Sequence, residues 1–240
     1  MTKTKAREVG HKPMMSEAAA RKRLAWQEKV YARHRKRRKR ISLNFYGRML
    51  VVPRDVLTPV PPNYNLLARA VLKETRETDT VLDMGTGSGI QAILAASKGA
   101  NVTAVDINPM AVRCARSNVR RNKLSARVRV LEGNLFDRIE GKFDLIIFDP
   151  PFRWSAPRDL FEMSCADKDY KSLREFFSTA RQYLNDQGRI LMSFGTSGDL
   201  MFFKHLIKMN GFKRKQLLKN SNSGWTYFAY RLTLPRPEVS

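Results

Sequence analysis

Asp149, Pro150, Pro151 and Phe152 form the most informative cluster of reactive residue types in this 240-residue sequence. They follow an apolar run, residues 143–148, whose length and composition predict a buried strand. In an open α/β sheet, ligands bind just outside the carboxyl ends of the strands. The tetrad is therefore expected at the position where such a protein carries out its chemistry.

The four residues combine groups that suit a planar substrate bearing an NH2. The lone pair of such an NH2 is delocalised, and acceptors placed around it can localise the lone pair for attack. Asp149 can accept through its carboxylate and Pro150 through its main-chain carbonyl, whose direction is restricted by the fixed φ of proline. Phe152 offers a stacking face, worth about 1–3 kcal/mol per base. We predict these three residues as catalytic; the alternative is a strand-ending loop in which Asp149 caps local N–H groups.

A glycine-rich turn marks a candidate cofactor site. Gly85 and Gly87 permit a tight turn and a close approach of the backbone to a ligand. A dinucleotide-binding turn would seat a pyrophosphate on the helix N-terminus. Here the third glycine, Gly89, comes one residue early, and Asp83 stands two residues before the first glycine. An acid there repels phosphate and favours a cationic ligand, although an NAD-binding or ligand-free fold is the alternative.

A second acid, Asp106, follows the next predicted strand. It lies about 20 residues after the glycines, where a carboxylate can accept hydrogen bonds from a ribose diol. Asn108 and Pro109 then begin a helix, since proline suits the first helical turn. The two motifs together predict a nucleoside-containing, positively charged cofactor.

Strands and helices alternate after residue 63, which predicts a parallel sheet covered on both faces. We expect helices over Tyr64–Glu77, Ile90–Lys98, Met110–Arg121, Tyr170–Leu184 and Leu200–Met209. We expect strands over Thr80–Met84, Val102–Asp106, Arg127–Leu131, Phe143–Phe148, Arg189–Phe194, Lys213–Leu218 and Thr226–Leu232. The last two strands have no helix between them, which predicts an antiparallel edge.

The glycine-rich turn and Asp106 resemble the class I S-adenosylmethionine-dependent methyltransferases, from about residue 64 to residue 232. The resemblance implies S-adenosyl-L-methionine as the cofactor. It implies that Asp83 and the backbone of the turn hold the methionine part, that Asp106 holds the ribose, and that Ile107 packs on the adenine. An acid often faces the adenine amine in this family; here Asn134 and Leu135 occupy that region, and Asn134 can accept through its side-chain carbonyl.

The Asp149–Phe152 tetrad resembles the Asn/Asp-Pro-Pro-aromatic motif of amino-methyltransferases, which act on adenine N6, guanine N2 or protein glutamine. With Arg153 it is similar to the 16S ribosomal RNA guanine-N2 methyltransferases. Residues 46–60 are instead similar to the release-factor glutamine methyltransferases, which usually have Asn and Tyr where this chain has Asp149 and Phe152. A loop of about 18 residues follows the tetrad, and its interleaved Arg153, Trp154, Arg158 and Phe161 suit either a lid over a splayed nucleotide or ordinary loop packing.

Positive charge is concentrated at the N-terminus. The chain carries 45 Lys and Arg against 22 Asp and Glu, and residues 1–40 hold 15 of these cations with three acids. Such charge predicts a polyanionic partner, RNA or the ribosome, rather than a membrane. We expect residues 1–20 to be disordered, and a helix over 21–40 to require an anionic partner, because residues 33–40 repel one another. A localisation signal or solvated tail is the alternative.

We therefore predict an α/β protein with a Rossmann-like, doubly wound, seven-stranded, mostly parallel sheet. A basic, partly disordered arm (1–40) and a Pro-rich extended segment (41–63), with a short strand at Arg48–Val52, precede a methyltransferase domain (64–233). The predicted function is methylation of an exocyclic amine of an RNA base. The alternatives are a protein glutamine substrate and a nucleic-acid-binding module whose methyltransferase domain is catalytically idle. Widely spaced cysteines predict a cytoplasmic setting, and scattered histidines predict no metal site.

Overall fold

Seven strands form the central sheet in the computed structural model, which describes residues 11–36, 39–60 and 65–235. The strands are β3 (Thr80–Met84), β4 (Asn101–Asp106), β5 (Val128–Glu132), β6 (Phe143–Phe148), β7 (Leu184–Gly195), β8 (Lys213–Asn222) and β9 (Trp225–Thr233). Their spatial order is β5-β4-β3-β6-β7-β9-β8. The first five are parallel, and β9 pairs antiparallel with both β7 and β8. The predicted Rossmann-like sheet with an antiparallel edge is confirmed.

Helices cover both faces of this sheet. One face packs against α2 (Leu66–Glu74), α3 (Ile90–Ser97) and α4 (Pro109–Arg121), and the other against α6 (Lys171–Thr179) and α7 (Leu200–Met209). Asn65, Asn108 and Asp199 cap three of these helices by accepting from backbone N–H groups of the first turn. The single helix predicted for residues 170–184 is α6 followed by a 3-10 turn that ends at Tyr183.

A β-hairpin replaces part of the extended segment predicted for residues 41–63. Strands β1 (Ile41–Phe45) and β2 (Arg48–Val52) pair in antiparallel fashion, and only the second was predicted. The hairpin binds α4, because Asn118 Oδ1 accepts from the backbone N–H of Val51 at 2.9 Å. Tyr64, the first residue of the helix predicted over Tyr64–Glu77, belongs to the segment 61–64, which lies outside the described residues; the described helix is α2.

The N-terminal region differs from its prediction. Residues 1–10, 37 and 38 lie outside the described residues, but a helix, α1, runs from Glu17 to Arg35 and so begins within the segment predicted to be disordered. Ser16 caps its first turn, and Gln27 and Tyr31 are buried against the domain. Burial of these two side chains adds tertiary stabilisation that the charge pattern of the segment does not reveal. In the described part of the chain, no helix has the length and apolar character needed to cross a bilayer.

A buried ion pair joins the sheet to the chain that leads into it. Arg189 on β7 pairs with Asp79 at 2.6 Å, and their side chains are 6% and 3% exposed. The same guanidinium donates to the backbone carbonyls of Asp144, at 3.0 Å, and Glu74. Removing one partner of a buried pair leaves an uncompensated charge in a poorly solvated position.

We predict that Arg189→Leu lowers the free energy of unfolding by about 3–5 kcal/mol, because Asp79 then stays buried without its partner. Urea denaturation followed by circular dichroism measures this change. Arg21→Leu is the matched control: its pair with Glu17 is 73% and 90% exposed, and its loss should cost less than about 1 kcal/mol. Equal effects of the two substitutions would contradict the prediction.

Candidate active site

A cavity of about 1020 Å³ opens at the carboxyl ends of β3, β4 and β6. Eight of the ten predicted site residues line it: Asp83, Gly85, Gly87, Asp106, Ile107, Asn134, Leu135 and Asp149. Parallel pairing explains the convergence, because Asp83 and Asp106 lie at the ends of adjacent strands and Asp149 directly follows β6. The structure brings these residues together; their binding and catalytic roles stay predictions.

The glycine-rich turn is connected directly to Asp106. Gly85 and Gly87 have φ values of +64° and +55°, which a residue with a Cβ rarely adopts. This conformation points the N–H of Gly87 at Asp106 Oδ2, 2.8 Å away, while Asn108 N–H donates to Oδ1 at 2.9 Å. Each carboxylate oxygen keeps a further lone pair, so Asp106 can still accept from a diol.

Asp83 is buried beneath the turn and engaged through one oxygen. Thr86 Oγ1 and the backbone N–H of Ala92 donate to its Oδ2 at 2.6 and 3.0 Å. Burial raises the pKa of Asp83 to about 7, the two hydrogen bonds oppose that rise, and the charges of Asp106 and Asp149 add to it. A cationic ligand would relieve both the poor solvation and the repulsion.

Around its three acids the cavity fits a ligand that carries positive charge and hydrogen-bond donors, while Lys168, Lys171 and Arg174 also line it. Poor solvation raises the pKa of Asp106 and Asp149 as well as that of Asp83, so a positive charge in the cavity would stabilise the ionised form of all three. Gln91, buried in the first turn of α3, also lines the cavity, and its Oε1 has no donor among the described residues. The sulfonium and amine of S-adenosylmethionine match this acceptor set.

Asp149 follows β6, the strand that pairs with β3, and its side chain is exposed to the cavity. Ser193 on β7 donates its hydroxyl to Asp149 Oδ1, and no described group donates to Oδ2. Surrounding protein raises the pKa of this carboxyl, and the Ser193 hydrogen bond opposes the rise. One oxygen is thus positioned and the other is available to an incoming donor.

Sequence reasoning missed Ser193. The parallel register pairs Ile147 with Leu191 and Phe148 with Met192, so the next residues of the two strands, Asp149 and Ser193, become neighbours. Met192 and Phe194 are buried on either side of the serine. A polar residue within an apolar strand was the available signal, but only the register shows what it contacts.

Pro150 and Phe152 do not line the cavity. The ring of Phe152 is half-buried and packs against Phe194, with ring centroids 4.8 Å apart. Its carbonyl accepts from the hydroxyl of Tyr170 at 2.6 Å, which anchors the backbone after the tetrad. The acceptor role of Pro150 and the stacking role of Phe152 stay predictions.

Two further segments build the cavity wall. Residues 55–60, from the Pro-rich segment, line one part of it, and the loop after the tetrad lines another through Pro157, Leu160 and Met163. That loop contains the short helix α5 (Leu160–Met163) and is tied back by an isolated parallel bridge between Arg153 and Ala166. We call residues 153–167 the lid.

Three of the four aromatic and basic residues of the lid are engaged with protein, whereas the buried Nε of Arg153 has no hydrogen-bond partner among the described residues. Trp154 and Phe161 are buried, and Arg158 pairs with Glu162 at 2.7 Å and Glu28 at 3.0 Å. Ordinary packing therefore accounts for these three residues. The sequence of the loop gave no indication that Glu28 of α1 would pair with Arg158.

Comparison with known proteins places the chain among methyltransferases. The Methyltransferase small domain family matches residues 63–199. The chain is 46% identical over 83 residues to the ribosomal protein L11 methyltransferase of Pelotomaculum thermopropionicum, a match that covers 34% of this chain and 27% of that protein. It is 32% identical over 177 residues to the release factor glutamine methyltransferase of Haemophilus influenzae, a match that covers 63% of this chain and 60% of that protein.

The fold is also similar to solved methyltransferase structures. The ribosomal protein L11 methylase of Lactobacillus delbrueckii subsp. bulgaricus superposes with a TM-score of 0.55 at 25% identity, over 72% of this chain and 80% of that chain. The chain spans 27% and 60% of the length of the two curated relatives. The matches therefore concern the methyltransferase domain, whose cofactor is S-adenosylmethionine.

We predict that the cofactor binds more tightly as pH rises towards 7. Between its ordinary pKa of 3.8 and about 7, Asp83 keeps a proton in the folded, ligand-free protein that the unfolded chain has released. The contribution of Asp83 to the free energy of unfolding therefore falls as pH rises through this range. The cationic cofactor favours the ionised carboxylate, so its affinity should rise over the same range and level off above it. Isothermal titration with S-adenosylmethionine across pH measures this profile.

Asp83→Asn provides the control for this pH profile. Asparagine keeps an oxygen that can accept from Thr86 and Ala92 but cannot ionise. We expect weaker binding and a shallower dependence on pH. An unchanged pH dependence in the variant would assign the titration to another group.

Proposed function

Since the chain belongs to the Methyltransferase small domain family, we propose that it transfers a methyl group from S-adenosylmethionine to an exocyclic amine of an RNA base, guanine N2 or adenine N6. The observation that carries the proposal is the position of Asp149. Its carboxylate shares one cavity with Asp83 and Asp106, and its Oδ2 has no donor among the described residues. An acceptor for an amine thus stands beside the proposed cofactor site.

The cofactor residues are proposed to act as follows. Asp83 and the turn from Gly85 to Gly87 hold the methionine part, and Asp106 accepts from the ribose hydroxyls. Ile107, which is 46% exposed in the cavity, packs on the adenine together with Leu135, while Asn134 accepts from the adenine amine. S-adenosylmethionine supplies a methyl group activated by its positive sulfur.

Asp149 is proposed to orient the substrate amine and to stabilise the charge that develops on it. Oδ2 accepts one N–H of the substrate, while Ser193 keeps the carboxylate from turning away. The main-chain carbonyl of Pro150 accepts the other N–H, and the face of Phe152 supports the planar ring. Alignment of the nitrogen and the electrostatic effect of the carboxylate provide the rate enhancement, and the amine proton leaves after methyl transfer.

Charge supports RNA as the substrate class. The formal net charge of the chain is +23, and a cationic surface binds nucleic acid through counterion release from its phosphates. An enzyme that modifies a base amine needs an unpaired or extruded base. Cys114 and Cys165 are both unpaired and buried, which fits the cytoplasmic setting proposed for such an enzyme.

A protein glutamine is the second candidate substrate. The observation that favours it is the 32% identity over 177 residues to a release factor glutamine methyltransferase. Against it stand Asp149 and Phe152, where release-factor enzymes usually have Asn and Tyr. An enzyme whose substrate is an uncharged side chain also has less need of a net charge of +23.

Transfer of labelled methyl groups tests the proposal. Wild-type protein and Asp149→Ala are incubated with methyl-labelled S-adenosylmethionine and with separate RNA, DNA and protein fractions. We expect label in RNA with the wild type and a loss of about a hundredfold or more with Asp149→Ala, because the acceptor group is gone. Digestion of the RNA to nucleosides then identifies the base and the methylated atom.

Asp186→Ala, at an exposed carboxylate remote from the cavity, serves as the matched control and should retain activity. Titration with S-adenosylmethionine should show that Asp149→Ala still binds cofactor. Label in protein alone would replace RNA by the glutamine substrate. Bound cofactor with no label in any fraction would favour the catalytically idle module.

A further inference from the structure

Helix α1 has two faces of different character. Its inner face carries the buried residues Gln27 and Tyr31, and its outer face is exposed. Seven Lys and Arg occur between residues 21 and 36, with Glu28 as the sole acid. One of these cations contacts the lid and others are exposed to solvent, so the two faces of the helix have different surroundings.

The inner face of α1 is bound to the lid by polar contacts. Gln27 donates to Ser155 Oγ at 3.0 Å, and Glu28 pairs with Arg158 at 3.0 Å. At the end of the helix, Arg35 also contacts the lid through an ion pair with a buried carboxylate. The second half of α1, from Gln27 to Arg35, therefore contacts the lid.

An aromatic contact adds to these polar ones. Tyr31, one turn after Gln27, packs edge-on against Phe161 of the lid, with ring centroids 6.3 Å apart. Both rings are buried. The orientation of α1 against the lid is thus set by packing as well as by charge.

The lid in turn forms a wall of the candidate active site. Pro157, Leu160, Met163 and Ser164 all belong to it and all line the cavity. Helix α1 therefore lies on the outside of a segment whose inside faces the proposed substrate space.

The outer face carries a stripe of cations and one aromatic ring. Lys22, Trp26, Lys29, Arg33 and Lys36 follow the spacing i, i+4, i+7, i+11 and i+14, which places them along one side of the helix. The four cations are exposed, and none forms an ion pair with a described residue; Lys22 Nζ lies over the ring of Trp225, 5.8 Å from its centroid. At 1.5 Å per residue the stripe is about 21 Å long. We call these five residues the α1 stripe.

We propose that the α1 stripe binds the phosphate backbone of an RNA strand and holds that strand beside the lid. The inference rests on the proposed function, because it assigns the RNA of that reaction to one surface. Like charges one turn apart repel each other, and a polyanion along the helix removes this repulsion. Trp26, half-exposed within the stripe and 6.3 Å from the ring of Trp225, offers a base a stacking surface.

The composition of the stripe distinguishes RNA from a bilayer. A helix that lies in a membrane surface presents a wide apolar face to the lipid. Here the buried side chains of α1 face the protein, and the outward stripe holds four cations and a single aromatic residue. Charge complementarity therefore favours a phosphate backbone.

A second basic cluster offers a matched comparison. Arg113, Arg120, Arg121 and Lys123 are exposed on and after α4, which packs on β4 and β5 and on the hairpin. This cluster has the same number of charges, and within the described part of the chain it forms no ion pair with the lid. Removal of four charges from either surface changes the net charge equally.

The test compares two fourfold variants: Lys22→Gln, Lys29→Gln, Arg33→Gln and Lys36→Gln on the stripe, and Arg113→Gln, Arg120→Gln, Arg121→Gln and Lys123→Gln on α4. Affinity for a fluorescein-labelled single-stranded RNA of mixed sequence is measured by anisotropy across a salt series. We expect the stripe variant to bind about tenfold or more weakly, with a salt slope lower by about 0.7 for every phosphate that it no longer neutralises. The α4 variant should bind like the wild type, and S-adenosylmethionine should bind all three proteins equally.

Three outcomes would overturn the inference, and a fourth would refute the proposed function. Equal weakening in both variants would show a general effect of net charge. Tighter binding of duplex DNA than of RNA by the wild type would replace the assigned partner. Methylation of RNA by a stripe variant with wild-type affinity would refute the stripe and leave the proposed function intact, whereas no RNA methylation by the wild type would refute the proposed function itself.

Discussion

Parallel pairing of β3 with β4 and β6 is the constraint on which the candidate active site depends. It aligns the carboxyl ends of the three strands, so that Asp83, Asp106 and Asp149 converge on one cavity although they lie far apart in the chain. Any shift in this register would move the acids to another depth or another face of the sheet. The helices on both faces stabilise this arrangement by burying the strands between them.

Convergence of the acids has an electrostatic cost that also determines which ligand fits. Burial in poorly solvated surroundings raises the pKa of all three carboxyl groups. A cation in the cavity would therefore favour the ionised form of each carboxylate. Asp106 shares its oxygens with the backbone N–H groups of Gly87 and Asn108, so the same acid organises the turn and faces the cavity.

Segments outside the sheet complete the wall of the cavity that the strand ends form. Residues 55–60 and the lid form walls of the cavity, and α1 holds the lid through Gln27, Glu28, Tyr31 and Arg35. An N-terminal segment whose charge suggests an independent tail is thus part of the packed structure. Among its basic residues, Arg35 pairs with the lid and Arg23 donates to backbone carbonyls, whereas the cations of the α1 stripe form no ion pair with a described residue.

The sequence by itself determined the order of the seven sheet strands and of the five helices that cover them, the class of fold and the residues at the strand ends. These follow from hydrophobic periodicity and from turn chemistry, which act over a few neighbouring residues. Only the tertiary structure decided that Ser193 contacts Asp149, that Phe152 packs on Phe194, and that α1 folds against the lid. Each of these contacts joins residues far apart in the chain. Strand register and buried surface decide such contacts, and neither leaves a local pattern in the sequence.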